Sequence, residues 1–247
     1  NQAQRTLIHT YLAEKYNNNN WSGGTEVEIY AYGAAYFDDF AGFGRVDASN
    51  EHTDAQSDAL RLLSPQDLNN DEFLLFGHDG ASAASFTTSE IPSDGSIDQR
   101  IAREWRVDET NGDVGTLTVQ IDAGDLPSVA SGNDFYVLVD SDGDFTGGAT
   151  ATRLTLDSGT TYNASGINLA DGDYVTLAIG ARPKTPQNLT AKSDLNQRAL
   201  LSWGAVTTDR TGSTTALTGD QYRIYQNTAD NFSGATQVAT STSTTDV

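Results

Sequence analysis

A chain of 247 residues with 34 acidic against 14 basic side chains carries a formal net charge of -20, which repels nucleic acid and anionic membrane alike. Its 37% hydrophobic content can supply a packed core, which argues against disorder throughout, and the lack of cysteine excludes disulfides and thiolate metal sites. No apolar run approaches the length of a membrane span, so insertion is not expected, and a chain that opens at Asn1 without any methionine reads as a processed product or an excerpt.

The first predicted element is a helix. Between Gln2 and Tyr16 the apolar residues Leu7, Ile8, Tyr11, Leu12 and Tyr16 fall three and four apart, with Arg5, Glu14 and Lys15 mostly on the other side. It stops at the polar run Asn17 to Asn20, which competes with helical hydrogen bonding.

From Glu26 onward, short alternating or apolar runs are bounded by Gly, Asp, Asn and Ser, a strand-and-turn texture. Strands are predicted near Glu26 to Tyr32, Phe40 to Val46, Phe73 to Phe76, Ile101 to Val107, Gly115 to Ile121, Phe135 to Val139, Ala151 to Leu156 and Tyr174 to Ile179. Asp58 to Leu63 fits either a strand or a helical turn. Many short strands without intervening helices pack naturally as facing antiparallel sheets. The expected fold class is therefore mainly β: an antiparallel β-sandwich with one N-terminal helix over residues 1–182.

Arg182, Pro183, Lys184, Thr185 and Pro186 break that pattern. Two prolines three apart hold the chain extended and remove two backbone donors, so 183–186 reads as a stiff linker between domains. Beyond it come Pro186, Asn188, Leu189, Thr190 and Ala191, then Ala199, Leu200, Leu201, Ser202 and Trp203, then Tyr222, Arg223, Ile224, Tyr225 and Gln226. These residues resemble a fibronectin type III domain, with a proline before strand A, a core tryptophan in strand B and an aromatic-bracketed strand C. The resemblance implies a partial immunoglobulin-like sandwich over 187–247, short of two strands. Each such strand would bring apolar side chains worth about 1.5–3 kcal/mol apiece. Either a continuation of the chain or a neighbouring molecule supplies them.

The first region is similar to a β-sandwich module of very large secreted bacterial proteins. The residues that carry the likeness are Gln4 to Tyr16, "A-G-F-G-R-V-D" at Ala41 to Asp47, "E-W-R-V-D-E-T" at Glu104 to Thr110 and "V-L-V-D-S-D-G-D-F" at Val137 to Phe145. Such modules tend to follow a laminin-G or concanavalin A-like domain, with fibronectin-like repeats downstream. What the resemblance implies is an extracellular or cell-surface location and a mosaic architecture, with no established reaction.

The sharpest local motif is Asp140, Ser141, Asp142, Gly143, Asp144. Alternating carboxylates around a glycine can converge oxygens on a hard cation, and calcium fits best. The expected ligands are Asp140, Asp142 and Asp144 with Thr146, supplemented by backbone, water or a distant carboxylate such as Asp134 or Asp157. The EF-hand pattern is not complete, because Ala151 stands at the twelfth position; a solvated Asp-Gly turn is the plain alternative. Asp171 to Asp173 and the pair Asp38, Asp39 read as turns. Tyr30, Tyr32, Tyr36, Phe37 and Phe40 form the densest aromatic cluster, a sugar-stacking platform if several face outward, though alternation places Tyr30 and Tyr32 on one sheet face, more often the core. No nucleophile elbow, P-loop or dinucleotide fingerprint is present in the sequence, and no catalytic role is expected.

These readings converge on a structural or adhesive module of a large extracellular bacterial surface protein or filament, stabilised by calcium, with neighbouring domains or subunits of the same protein, and glycans, as its partners. Two alternatives stay open: a carbohydrate-binding accessory module of a secreted polysaccharide-degrading enzyme, and a filament subunit completed by strand donation.

Overall fold

The computed structural model describes residues 1–16, 30–93, 95–130 and 133–181, together with five strands beyond them. The chain divides into two compact units, Asn1–Gly180 and Ala181–Val247.

The first unit opens with helix α1 (Gln2–Lys15), started by a capping box in which Asn1 accepts from the Gln4 amide at 2.9 Å and the Gln4 side chain accepts from the Asn1 amino group. Among the described residues fourteen strands follow: β1 (Asp38–Asp47), β2 (Asn50–His52), β3 (Asp54–Ser57), β4 (Leu60–Leu63), β5 (Glu72–His78), β6 (Phe86–Thr87), β7 (Gln99–Ile101), β8 (Trp105–Thr110), β9 (Leu117–Asp122), β10 (Asn133–Asp140), β11 (Thr150–Arg153), β12 (Thr155–Ser158), β13 (Thr161–Ile167) and β14 (Tyr174–Ala181). They form a mainly β, antiparallel sandwich. The larger sheet runs β11-β10-β14-β8-β5-β1-β2, with β7 and β6 added beside β14, and the smaller runs β12-β13-β9-β4-β3.

Between the sheets lies a core that includes Phe43, Leu60, Leu62, Leu74, Phe76, Trp105, Val107, Val119, Ile121, Val137, Val175 and Leu177. Twice the chain steps directly from one sheet to the other, from β2 to β3 and from β11 to β12, the second time at buried Leu154. That step splits the run predicted at Ala151 to Leu156 into two strands.

The larger sheet is covered on its other face as well. All seven residues of β5 are buried, which explains its unbroken Phe-Leu-Leu-Phe run where a half-exposed strand would alternate. Outside it, Tyr30, Phe40 and Leu75 pack with Leu7 and Tyr11 of α1 and with Tyr32, Tyr36 and Phe37. Farther along the same face, Leu138, Ala178, Ile97 and Phe145 make a second small core.

Several expectations are corrected. The fully buried residues of helix α1 are Ala3, Thr6, Thr10 and Ala13; of the expected apolar face Leu7 and Tyr11 are half-buried against the sheet, while Ile8 is 56% and Tyr16 68% exposed. Small side chains on the buried face let a helix lie close to its support, and Leu7 reaches over Gly42, where even a β-carbon would meet it at 3.2 Å. Tyr30 to Tyr32 is not strand; residues 31–35 form turns closed by bonds from Ala35 N and Tyr36 N to Tyr32 O, while residues 26–29 lie outside the described residues. The run predicted from Ile101 to Val107 is broken at Ala102–Glu104 between β7 and β8. Asp58 to Leu63 resolves as a hairpin turn followed by β4, with Asp58 at φ 49°.

In the second unit, β15 (Thr190–Ser193), β16 (Ala199–Ser202) and β19 (Thr245–Asp246) form one antiparallel sheet. β17 (Tyr222–Gln226) and β18 (Thr236–Ser241) form another. The proline linker and Trp203 lie outside the described residues.

Candidate functional site

Three features singled out in the sequence meet on the outer side of the larger sheet. Strand β8 alternates, so Trp105 and Val107 enter the core while Arg106 and Asp108 face outward. The segment from Tyr30 to Phe37 crosses over them. Tyr30, only 2% exposed, donates its hydroxyl to Arg106 O at 2.6 Å, and Ala31 N donates to Asp108 Oδ2 at 2.5 Å.

Arg106 is thereby caged. Its guanidinium lies 3.8 Å from the centre of the Tyr32 ring, 4.5 Å from Tyr174 and 5.9 Å from Tyr36. Its Nε is buried without a hydrogen-bond partner among the described residues, so ring faces supply what water would. Cation–π contacts of this kind contribute about 0.5–2 kcal/mol each. Tyr36 meets Tyr174 edge-on at 5.7 Å, which closes the cage.

The aspartate loop is seated against this cage. Asp140 ends β10 on the outer face, two residues beyond Leu138, and is buried. Its Oδ1 accepts from Asp142 N at 2.8 Å and Gly143 N at 3.0 Å; Asp142 Oδ1 accepts from Asp144 N at 2.9 Å, and Asp144 Oδ1 from Thr146 N at 3.1 Å. Gly143 has φ 84°, and a β-carbon there would stand 3.1 Å from the Tyr174 ring, so glycine is required both by conformation and by close approach. Phe145, fully buried beside Leu138 and Ile97, anchors the far side of the loop.

Burial raises the Asp140 carboxyl above its ordinary range, and the abutting Asp142 carboxylate adds to the rise. Two carboxylates in contact call for a proton or a cation between them. The Thr146 hydroxyl and amide hold Asp144 below its ordinary range. Of the more distant candidates, Asp134 lies at the other end of β10, about 20 Å away at strand rise, and is bonded to Arg153 at 2.6 Å. Asp157 belongs to β12 in the other sheet. Among the described residues no three His, Asp or Glu side chains converge as a ready-made metal-ligand set, so an ion would need the second oxygens of the loop carboxylates to turn inward together.

The third feature is Asp171 to Asp173. It is a turn, as expected, and also the place where the cage ends: Asp171 Oδ1 accepts from the Tyr32 hydroxyl at 3.4 Å and from Glu109 N at 3.3 Å. Gly172, at φ 85°, passes so close that a β-carbon would lie 3.0 Å from the Tyr32 hydroxyl.

A family model described as Domain of unknown function (DUF8202) matches residues 4–173. The chain belongs to this family. Comparisons with curated proteins and with solved structures find no match. The matched stretch takes in α1 from Gln4 onward, Tyr32, Tyr36, Arg106, the aspartate loop and the Asp171 turn, so all of the cage except Tyr174 lies within the family's span.

Sequence reasoning missed Arg106, Asp108 and Glu109. Charges alternating with Trp105 and Val107 look like the wet face of an ordinary strand; the available signal was the unbroken apolar run of β5, whose neighbour β8 has to be covered too.

Glu109 carries a testable consequence. Burial, then the nearby Asp113, Asp171 and Asp173, push its carboxyl up from 4.5 to about 7, against the pull of its bond from Val114 N. The folded state therefore holds a proton between pH 4.5 and about 7 that the unfolded chain releases, and stability rises as pH falls through that window. The melting temperature is expected to climb from pH 8 to pH 5. Glu109→Gln should melt higher than the parent at pH 8 and show a shallower climb.

Proposed function

We propose that this chain is a structural and adhesive module of a large extracellular bacterial surface protein or filament, non-catalytic and stiffened by calcium at Asp140, Asp142 and Asp144 with Thr146. The observation that carries this reading is the use made of the polar groups on the covered face. Arg106, Asp108, Asp171 and the aspartate loop hold the outer layer to the sheet, bonded to backbone amides, to a tyrosine hydroxyl and to tyrosine rings. Such an assembly resists deformation.

Strand order supports the same reading. β14, which leads out of the first unit, is flanked on both sides, by β10 and by β8. Tension applied from the C-terminal side would have to shear it from two neighbours at once. Tyr30 is buried and Tyr32 packs on Arg106, which leaves this cluster poorly placed to stack on a sugar.

Calcium supplies one thing here: positive charge between carboxylates that otherwise repel. An extracellular site with a dissociation constant of roughly 0.1–1 mM, filled at ten to a hundred times that concentration, adds about 1.4–2.7 kcal/mol to folding. For a chain of this size that is a rise of about 3–11 °C in melting temperature. Scanning calorimetry of the full chain in calcium and in chelator should show this difference, and Asp142→Ala should abolish it. Identical melting in the two buffers would remove the metal and its stiffening role.

A further inference from the structure

The smaller sheet presents a different surface. One row of side chains crosses all five of its strands: Gln56 of β3, Arg61 of β4, Gln120 of β9, Asn163 of β13 and Thr155 of β12, each directly opposite the next. Directly paired residues share a face, and the inward residues of these strands, among them Leu60, Leu62, Val119 and Ile121, place this row on the outer one. The row remains solvent-accessible, with Gln56 and Thr155 exposed and the three between them half-buried.

Its chemistry is unusual for a molecule of net charge -20. The row is built from amides, a hydroxyl and a guanidinium whose charge is neutralised. Arg61 grips Asp54 with two nitrogens and donates to Gln120 Oε1 at 3.0 Å, and the Arg61 bond holds the Asp54 carboxyl below its ordinary range. Because Gln120 gives its oxygen to Arg61, its NH2 remains available to donate elsewhere. In the next row, the Thr118 and Ser165 hydroxyls sit 2.9 Å apart. At one end of the face a hollow of about 190 Å³ is lined by Gln56, Arg61, Gln120, Asp122, Asp125 and Thr161.

Donors and acceptors thus repeat across the face at strand spacing, about 4.8 Å, over a span of about 19 Å. A polyanion would be repelled by the net charge, and an apolar partner would find little to bury. A polyhydroxylated neutral chain satisfies every group: its hydroxyls accept from Arg61 and Gln120 and donate to Asp122 and Asp125. We infer that the outer face of the smaller sheet binds a neutral polysaccharide strand laid along this row, with one sugar in the hollow. This site is separate from the calcium-stiffened cage and goes beyond the structural role.

The test is an array of neutral gluco-, manno-, galacto- and N-acetylglucosamine oligosaccharides, with polyuronate as the charged control, probed with the full chain in calcium. At least one neutral class should bind, and polyuronate should not. Gln120→Ala should weaken that binding at least tenfold with little change in melting temperature, Asn163→Ala should also weaken it, and Ile8→Ser on the exposed helix face should not. Silence across the neutral classes overturns the inference, as does binding that survives the Gln120→Ala, Asn163→Ala double variant. Binding lost in Tyr36→Ala but kept in Gln120→Ala would place the site at the cage and also overturn it. Melting the same sample with and without calcium reads the structural proposal independently.

Discussion

Trp105→Ala is expected to destabilise the first unit by about 3–5 kcal/mol, the range for truncating a large buried aromatic side chain. Trp105 is fully buried, and its indole N–H donates to Ser57 Oγ at 3.0 Å. Ser57 belongs to β3 and Trp105 to β8, so this bond ties one sheet to the other through the middle of the core. Truncation leaves a cavity under His78, whose ring now meets the indole edge-on at 6.0 Å, and a buried hydroxyl without its donor. Urea denaturation followed by circular dichroism measures the loss. A change below about 1 kcal/mol would mean that the two sheets do not close on this residue.

Arg100→Met tests the outer layer with an effect of similar size. Arg100 is 3% exposed, pairs with Glu104 at 3.0 Å and with Glu90, and lies 5.1 Å from the Phe145 ring. Its other bonds go to the carbonyl oxygens of Ser89, Glu90, Ile101 and Ala102. Methionine keeps an unbranched apolar stem in place of the inner part of the side chain and removes every one of these donors. Glu104, whose carboxyl is already raised by burial, is then left without its cation. Breaking a buried pair from one side costs about 3–5 kcal/mol. Because a Glu104 freed of Arg100 can take up a proton, the deficit at pH 7.5 should shrink by pH 5. Arg100→Lys should recover only part of it, since an ammonium cannot fork between several acceptors. A deficit that does not depend on pH would remove Glu104 from the explanation.

Much of the fold is legible in the sequence because short apolar runs bounded by Asp and Gly have few other outcomes. β1, β5, β10 and β14 lie where Phe40 to Val46, Phe73 to Phe76, Phe135 to Val139 and Tyr174 to Ile179 predict them. β13 escapes notice because Thr161, Asn163 and Ser165 face outward while Tyr162 and Ala164 are only half-buried, which leaves no apolar run to read. Helix α1 misleads for the opposite reason. Its apolar spacing is real, yet the buried face uses Ala3, Thr6, Thr10 and Ala13. At the candidate site the aspartate loop is visible as a motif, while the cage is not. Tyr32, Tyr36, Arg106 and Tyr174 come from three separate stretches of chain: the sheet register sets Arg106 beside Tyr174, and the turn segment crossing β8 lays Tyr32 and Tyr36 over them.

The most direct measurement is native-state hydrogen exchange of two amides in the outer layer, Ala31 N and Gly143 N, against those of β5. Ala31 donates to Asp108 of β8 and Gly143 to Asp140 of β10, both side chains on the outer face of the larger sheet. If the outer layer is part of the structural core, both amides will open with the same free energy as the centre of β5, through global unfolding. Exchange at the rate of an exposed loop, orders of magnitude faster than β5, would show a surface that opens independently, and would contradict the structural role drawn from it.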